Sequence, residues 1–305
     1  MDMYQKREMR KNKKMDENAR SLPSTSINWY PGHMAKTKRL ISENSSLIDV
    51  VYEVIDARIP ASSKIKDLDN YIKNKPRIII LSKYDLCDKI ETNKWIKYYE
   101  NKGFKVLPMD LEHNINLKPL INLTNELMKE KNEKNQAKGL LRRKTRVLVV
   151  GVPNAGKSTL INRLVEKKAV SVGNKPGVTK NLNWIRINND LELLDSPGIL
   201  WPKIDENNIA YNLATFTAIK EEILPIEDVI EYILNTLYKY YPNILKVRYN
   251  VTNVQDIEEA LEIIGKKRGC LIKGGIVDYD KVYTVIMNDI KLGNIKGITF
   301  DRVND

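Results

Sequence analysis

Hydrophobic residues form short continuous runs in the first two thirds of the chain and helically spaced sets in the last third. The runs are typical of strands buried on both faces, and they predict strands at 47–55, 77–81, 105–109, 147–150, 183–187 and 191–194. Amphipathic stretches between them predict helices near 34–44, 64–74, 92–102, 117–130 and 159–164. The polar stretch 131–144 is predicted to be a connector. Strands that alternate with helices predict an α/β fold with a doubly wound, mostly parallel sheet.

Beyond about residue 203 the pattern is helical throughout. Thr252–Gln255 is typical of a capping box, opening a helix that Gly265 is expected to end. Asp278 is predicted to cap a last helix that ends at Gly293. We therefore predict a basic flexible extension, a nucleotide-binding α/β domain and a small all-α domain, with bounds 1–26, 27–203 and 204–305.

The segment Gly151–Ser158 has the pattern G-x-x-x-x-G-K-S between a predicted strand and a predicted helix. Its glycines let the backbone curl, so that its N–H groups point at phosphate oxygens from the positive end of the helix. Lys157 is expected to reach the β- and γ-phosphates, where it acts catalytically, and the Ser158 hydroxyl is expected to bind Mg²⁺. A plain glycine-containing turn is the alternative, but the flanking elements favour a phosphate loop. The predicted nucleotide contacts from this loop are Pro153, Asn154, Ala155, Gly156, Lys157, Ser158 and Thr159.

A second phosphate-side motif, D-x-P-G, follows the strand at 191–194. Asp195 is predicted to complete the Mg²⁺ shell, and the Gly198 N–H to meet the γ-phosphate. Thr179 lies about twenty residues past Ser158 in a turn-rich stretch. Its hydroxyl is the expected third Mg²⁺ ligand and catalytic switch residue when that stretch closes.

Lys83-x-Asp85 follows another buried strand and is the predicted base-recognition motif. A carboxylate at Asp85 accepts hydrogen bonds from both the ring N–H and the exocyclic amine of guanine. Adenine offers no such pair of donors, so the motif predicts selection of GTP. An ordinary surface lysine and aspartate are the alternative, which the position at a strand end disfavours.

The base-recognition motif precedes the phosphate loop here, whereas the usual GTPase has the opposite order. We therefore predict a circularly permuted P-loop GTPase domain, since moving the chain ends changes connections more than strand contacts. The order, the segment Asn28–Lys36, the triplet Asp56–Arg58 and the sequence Arg268–Leu271 together closely resemble the ribosome biogenesis GTPase A family. The resemblance covers about residue 27 to the C-terminus. It implies GTP hydrolysis by a cytoplasmic factor that binds the large ribosomal subunit and its rRNA late in assembly and is stimulated by it.

The resemblance also implies two features of hydrolysis. Ile199 stands where many GTPases have the glutamine that orients the attacking water, and an isoleucine side chain cannot hydrogen-bond to water. The family points instead to His33 as the catalytic group. Asn154 matches the asparagine with which related GTPases hold K⁺ beside the phosphates, where an arginine finger otherwise stabilises charge.

The chain departs from the family pattern at two points of the base site. Ser82 replaces the usual asparagine before Lys83, and because its side chain is shorter we expect weaker guanine affinity than in Ser82→Asn. Asp110 and Leu111 stand where a Ser-Ala pair is expected after the third strand. The Leu111 N–H is still predicted to reach the guanine carbonyl.

The net charge of +12 indicates a polyanionic partner, of which nucleic acid is the commonest kind. A lysine-rich surface without function is the alternative. The predicted RNA contacts in the helical part are Lys266, Lys267, Arg268 and Lys273. The two cysteines are far apart and favour a reducing cytosol, and no apolar run is long enough to span a membrane. We expect a monomer with GTP or GDP, Mg²⁺ and K⁺ as ligands.

Two further hypotheses remain open at the level of the sequence. The chain is either a GTPase for another RNA client, such as the small subunit, or a nucleotide-dependent RNA-binding module with negligible hydrolysis. Stimulation by purified large subunits distinguishes the predicted factor from such a module.

Overall fold

The computed structural model describes residues 32–113, 116–141, 143–166, 183–187, 190–200, 204, 206–219 and 223–303. Its strands are β1 (Val50–Asp56), β2 (Arg77–Ser82), β3 (Lys105–Pro108), β4 (Thr145–Val150), β5 (Asn183–Arg186) and β6 (Leu191–Asp195). Helices α1 (Gly32–Asn44), α2 (Asp69–Ile72), α3 (Lys89–Asn101), α4 (Lys118–Ala137) and α5 (Lys157–Glu166) accompany the sheet. Helices α6 (Asn207–Thr215), α7 (Ile226–Tyr240), α8 (Pro242–Tyr249), α9 (Ile257–Arg268) and α10 (Tyr279–Lys291) follow it.

The described strands form one sheet in the order β3-β2-β1-β4-β6-β5, in which β5 is antiparallel to β6 and the other pairs are parallel. Strands β1 and β2 are buried at every position, which explains their predominantly apolar sequence. The buried Glu53 within β1 is paired with Arg77 of β2. The predicted α/β class, the doubly wound sheet and the circular permutation are confirmed. The permutation leaves the phosphate-loop strand β4 beside β1 at the centre of the sheet.

Three local predictions were wrong, because a tertiary contact or a neighbouring cap replaces the expected signal. The helix near 64–74 shrinks to α2, since Glu53 already accepts a hydrogen bond from Ile65 N at 2.9 Å. Helix α9 begins after Asp256, whose side chain caps it, and not at Thr252–Gln255. It also continues through Gly265 to Arg268, with Gly269 as its cap. The glycine at 265 serves close packing instead of ending the helix, since a Cβ there would lie 2.4 Å from Cγ1 of Val277.

Helix α4 also differs from its prediction, because it continues to Ala137 through much of the expected connector 131–144. The predicted cap of the last helix is confirmed, since the Asp278 side chain accepts from Lys281 N. Within the described part of the chain, every helix is too short or too polar to cross a bilayer.

The C-terminal segment after α10 returns to the sheet. Phe300 N donates to the Arg58 carbonyl at 2.7 Å, and the partly buried Asp301 carboxylate accepts from Ala61 N and Ser62 N at 2.8 and 2.7 Å. Burial raises the pKa of Asp301. The helical part is therefore fastened to the loop that follows β1, although the predicted domain bounds stay a prediction.

Candidate functional site

The carboxyl ends of the parallel strands meet at one edge of the sheet, which is where ligands bind in such folds. The segments that follow β1, β2, β3, β4 and β6 there are Asp56–Arg58, Ser82–Asp85, Asp110–His113, Gly151–Ser158 and Asp195–Gly198. The topology therefore brings the predicted phosphate and base motifs to the same edge, despite their altered order along the chain.

The phosphate loop has the curled backbone that its sequence predicts. Asn154 and Gly156 have φ angles of 58° and 96°, in the left-handed region. Lys157 is buried at the first turn of α5, and its Nζ donates to the Gly151 and Val152 carbonyls at 3.0 and 2.8 Å. Burial lowers the pKa of Lys157 to about 8, although Asp195 favours the charged form. This amine is held beside the loop, where the negative charge of a bound phosphate group would raise its pKa again.

The D-x-P-G segment lies directly against the phosphate loop. Ile199 N donates to the Gly151 carbonyl at 3.2 Å, and a Cβ at Gly198 would lie 2.8 Å from Pro153 N. Gly198 is therefore required by the close approach of two backbones. The Ile199 side chain is fully buried in an apolar cluster with Leu148 and faces no solvent.

The oxygen donors on the phosphate side suit a hard cation. Asp195 is paired in register with Val149 of β4, and its carboxylate is close enough to Lys157 to favour the charged amine. The exposed Ser158 hydroxyl stands in the first turn of α5. A hydroxyl and a carboxylate are ligands that Mg²⁺ accepts, so these residues fit it. Thr179, the predicted third ligand, lies outside the described residues, as does the side chain of His33.

Two hydrogen bonds fasten the base-recognition loop to the phosphate loop. Lys83 Nζ donates to the Asn154 carbonyl at 2.8 Å, and the fully buried Ser82 Oγ donates to the Ala155 carbonyl at 2.5 Å. Ser82 therefore lies beneath the site as a link between the two loops. The two ends of a nucleotide would be held by segments that are directly bonded to each other.

A cavity of about 610 Å³ opens between these loops. Its lining residues are Ser82, Lys83, Asp85, Leu86, Leu111, Glu112, His113, Gly156, Thr159, Lys291, Leu292, Gly293, Asn294 and Lys296. Asp85 is partly exposed within it, at 3.7 Å from Nδ1 of His113. The predicted base-recognition residues are thus brought together, with Thr159 and Gly156 at the phosphate side.

The third-strand residues contribute unequally to this cavity. The Leu111 side chain lines it and is buried. The Asp110 carboxylate instead closes its own turn by accepting from Glu112 N and His113 N, both at 2.9 Å. Burial opposes ionisation of Asp110, but these backbone bonds outweigh it and lower the pKa. The direct contact predicted for Asp110 stays a prediction.

Sequence reasoning did not anticipate the role of the Asp56–Arg58 triplet in the geometry of the site. Asp56 accepts from Arg58 Nη2 at 2.9 Å and from Lys83 Nζ at 2.8 Å. Burial opposes ionisation, but Arg58 and Lys83 hold the pKa of Asp56 well below its usual range. Arg58 also donates to the Ile290 carbonyl at 2.9 Å and lies 4.4 Å from the ring centre of Phe216. The triplet therefore connects the base-recognition lysine to the helical part.

A second connection runs from the phosphate loop itself. Asn154 Nδ2 donates to the carbonyl and the hydroxyl of Thr217, at 2.7 and 3.1 Å. This bond uses the amide nitrogen, which leaves the amide oxygen as the atom that would contact K⁺.

The predicted RNA contacts cluster at the end of α9 and in the hairpin that follows it. All four are exposed. Lys266 lies 3.4 Å from Glu262, and Arg268 lies 3.6 Å from the buried Asp289, which also pairs with Arg248. Lys267 Nζ donates to a carbonyl of α8 at 3.2 Å, and Lys273 stands in the hairpin whose strands meet at Leu271 and Val277. The residues form a basic surface, in which Lys266 and Arg268 each lie near one carboxylate.

Comparison with known proteins identifies the family to which this architecture belongs. Residues 146–269 match a family model described as 50S ribosome-binding GTPase. The ribosome biogenesis GTPase A of Priestia megaterium is 46% identical over 277 residues, which cover 90% of this chain and 96% of that protein. The chain belongs to the ribosome biogenesis GTPase A family. It is therefore a GTP hydrolase that acts in ribosome biogenesis.

More distant members of the ribosome biogenesis GTPase A family extend over the same length. The protein of Thermotoga maritima is 32% identical and covers 92% of this chain. The crystal structure of GNP-bound YlqF from T. maritima has a TM-score of 0.65 at 26% identity and covers 88% of this chain and 99% of that one. The GDP-bound structure of the T. maritima protein has a TM-score of 0.63. These likenesses support GTP and GDP as the ligands of the cleft.

The cavity is also lined by two groups of residues that the sequence analysis did not predict as nucleotide contacts. His113 lies three residues after Asp110, just past the end of β3. A titratable side chain at the end of a parallel strand is a sequence feature from which it could have been predicted. Residues 291–294 and 296 are about two hundred positions from the base-recognition loop, and no local pattern marks them.

Proposed function

We propose that this GTPase binds the large ribosomal subunit and its rRNA late in assembly and that the subunit stimulates hydrolysis. The observation that supports the nucleotide-dependent part of this proposal is the hydrogen bond from Lys83 to the Asn154 carbonyl, which joins the proposed guanine-recognition loop to the phosphate loop. The base and the phosphates of GTP would then both contact loops that are bonded to each other. The ribosomal client follows from the family and from the description of the matching family model.

The nucleotide would be held by residues from each strand end. Asp85 accepts from the guanine ring N–H and amine, with Ser82, Lys83, Asp110 and Leu111 shaping the base site. The loop N–H groups and Lys157 bind the phosphates, and Gly198 N meets the γ-phosphate. Mg²⁺ would be held by Ser158, Thr179 and Asp195, and when bound it would neutralise charge that develops on the phosphates.

The attacking water needs a polar group that Ile199 cannot provide. We assign that role to His33, at the start of α1. His33→Ala should lower kcat about 10²-fold while GDP affinity is retained, because orientation of water affects only the chemical step. Unchanged kcat would remove His33 from the reaction.

The K⁺ assignment to Asn154 has its own measurement. GTP hydrolysis should be faster in KCl than in NaCl at equal ionic strength, since K⁺ would place positive charge beside the β- and γ-phosphates. Asn154→Ala should abolish that difference. Equal rates of the unaltered protein in the two salts would contradict a K⁺ site.

Contact with rRNA is proposed for the basic surface formed by Lys266, Lys267, Arg268 and Lys273. Changing these four to Ala should flatten the salt dependence of binding to large subunits, with the slope falling by about 0.7 for each phosphate that is no longer neutralised. The matched control changes four exposed lysines of α4 and its C-terminal cap to Ala, namely Lys118, Lys129, Lys134 and Lys138. An equal effect of both quadruple variants would show that general charge, and not this surface, binds RNA.

The client is tested by adding purified large or small subunits to a GTPase assay. The proposal expects a cytoplasmic monomer that large subunits stimulate and small subunits do not. Stimulation by small subunits alone would favour another RNA client. Absence of stimulation by either would favour a passive nucleotide-dependent module.

A further inference from the structure

The cavity beside Asp85 has two walls that come from distant parts of the chain. One wall consists of the loops after β2 and β3, together with Gly156 and Thr159 on the phosphate side. The other, which we call the C-terminal wall, consists of residues 291–294 and 296, at and beyond the end of α10. A base bound to Asp85 would therefore lie between the sheet and the helical part.

The C-terminal wall is held in place by bonds to the base-recognition loop. Gly297 N and Ile298 N donate to the carbonyl of Leu86, the residue after Asp85, at 2.8 and 3.3 Å. A Cβ at Gly293 would lie 3.0 Å from Cδ2 of Leu86, so Gly293 passes close to the Leu86 side chain. From the other side, Arg58 donates to the Ile290 carbonyl at 2.9 Å. The wall and the base-recognition loop form one connected unit.

The chemistry of the wall matches a purine nucleotide. Leu292 is 69% exposed and lines the cavity, so an apolar side chain faces space that a flat ring would fill. Covering such a side chain is favourable. Lys291 and Lys296, both exposed, add positive charge opposite the acidic side formed by Asp85 and Glu112.

We propose that the C-terminal wall completes the nucleotide site and that Leu292 packs against the face of the bound purine. This inference rests on the proposed guanine site at Asp85. The end of the helical part would then contact the base directly whenever a nucleotide is bound. Leu292 is then a binding residue for the base, with no part in the chemistry at the phosphates.

Two variants at Leu292 test the inference. Leu292→Ser should weaken GDP and GTP binding equally, about three- to tenfold, because the side chain that it removes packs on the base. The matched control is Leu141→Ser, which alters a leucine that is 95% exposed at the opposite edge of the sheet. In Leu292→Trp, GDP should quench the new fluorescence saturably, measured against the unaltered protein, whereas pyrophosphate should not.

The outcomes separate this inference from the proposed function. Unaltered GDP affinity in Leu292→Ser, or GDP-insensitive fluorescence in Leu292→Trp, would overturn the inference while the unaltered protein still binds GDP. Equal quenching by pyrophosphate would also overturn it, since the wall would then sense phosphate. A failure of the unaltered protein to prefer GDP over ADP would instead refute the guanine site itself.

Discussion

Removal of the Arg58 guanidinium is the perturbation whose effect follows most directly from the contacts. Arg58 is 1% exposed, and its guanidinium binds both oxygens of the buried Asp56 carboxylate, at 3.0 and 2.9 Å. It also donates to Ile290 O and covers the ring of Phe216. Arg58→Met keeps most of the apolar stem and removes all of these polar contacts.

The expected loss is large because one charge stays buried. Breaking a buried ion pair by removing one partner costs about 3–5 kcal/mol, and Lys83 offsets only part of this by remaining beside Asp56. The unpaired Ile290 carbonyl adds about 1–3 kcal/mol unless water reaches it. Since the offset from Lys83 and the cost at Ile290 O oppose each other, we expect the free energy of unfolding in urea, followed by circular dichroism, to fall by about 3–5 kcal/mol. Weaker GDP binding should accompany it, since Asp56 orients Lys83.

A matched control separates this network from the general loss of an arginine. Arg39→Met removes an exposed arginine that pairs with Glu43 one helical turn away, and should cost less than about 0.5 kcal/mol. A loss below about 1 kcal/mol in Arg58→Met would refute the argument. So would equal losses in the two variants.

Three further predictions concern the phosphate and base loops. Gly198→Ala should lower the rate of phosphate release at least about tenfold, because the added Cβ would lie 2.8 Å from Pro153 N and displace one loop from the other; an unchanged rate would contradict this. The pKa of Lys157 is about 8 in the free protein, and a bound phosphate should raise it. Binding of Mg²⁺-saturated GTP should therefore take up about half a proton at pH 8 and nearly none at pH 6.5. For the same reason, GTP affinity should fall as the pH rises from 8 to 10. Calorimetry in buffers of different ionisation enthalpy measures this uptake, and its absence at pH 8 would rule out the lowered pKa. Ser82→Ala should weaken GDP binding about three- to tenfold by removing the bond to the Ala155 carbonyl, and affinity equal to that of the unaltered protein would show that this bond does not support the site.

The sheet was predictable because burial on both faces leaves a clear trace in the sequence. The run 77–81 predicted β2 to within one residue, since every position of Arg77–Ser82 is buried. The shortening of the helix predicted at 64–74 was not predictable, because it depends on the bond from Ile65 N to Glu53, which belongs to another element. Gly265 misled for a similar reason, as the contact that requires a glycine there comes from Val277.

The candidate site shows the same division between local and distant signals. Motif spacing alone predicted that Lys83 and Asn154 would serve one ligand, and the structure places Lys83 Nζ on the Asn154 carbonyl. The position of Leu292 in the cavity could not be predicted in this way, because an exposed leucine after a helix belongs to no recognisable motif. Only the return of the C-terminal segment to Leu86 gives it a place in the cavity.

The role of Asp85 is the claim on which the site depends. Replacing its carboxylate with an amide turns one acceptor into a donor, which suits xanthine, whose C2 carbonyl stands where guanine has an amine. Titration of the unaltered protein and Asp85→Asn with GDP, XDP and ADP measures this directly. We predict that the unaltered protein prefers GDP over ADP at least about 10³-fold, and that Asp85→Asn loses at least about 10²-fold in GDP affinity and prefers XDP. GDP affinity within about threefold of the unaltered value in Asp85→Asn would contradict the account.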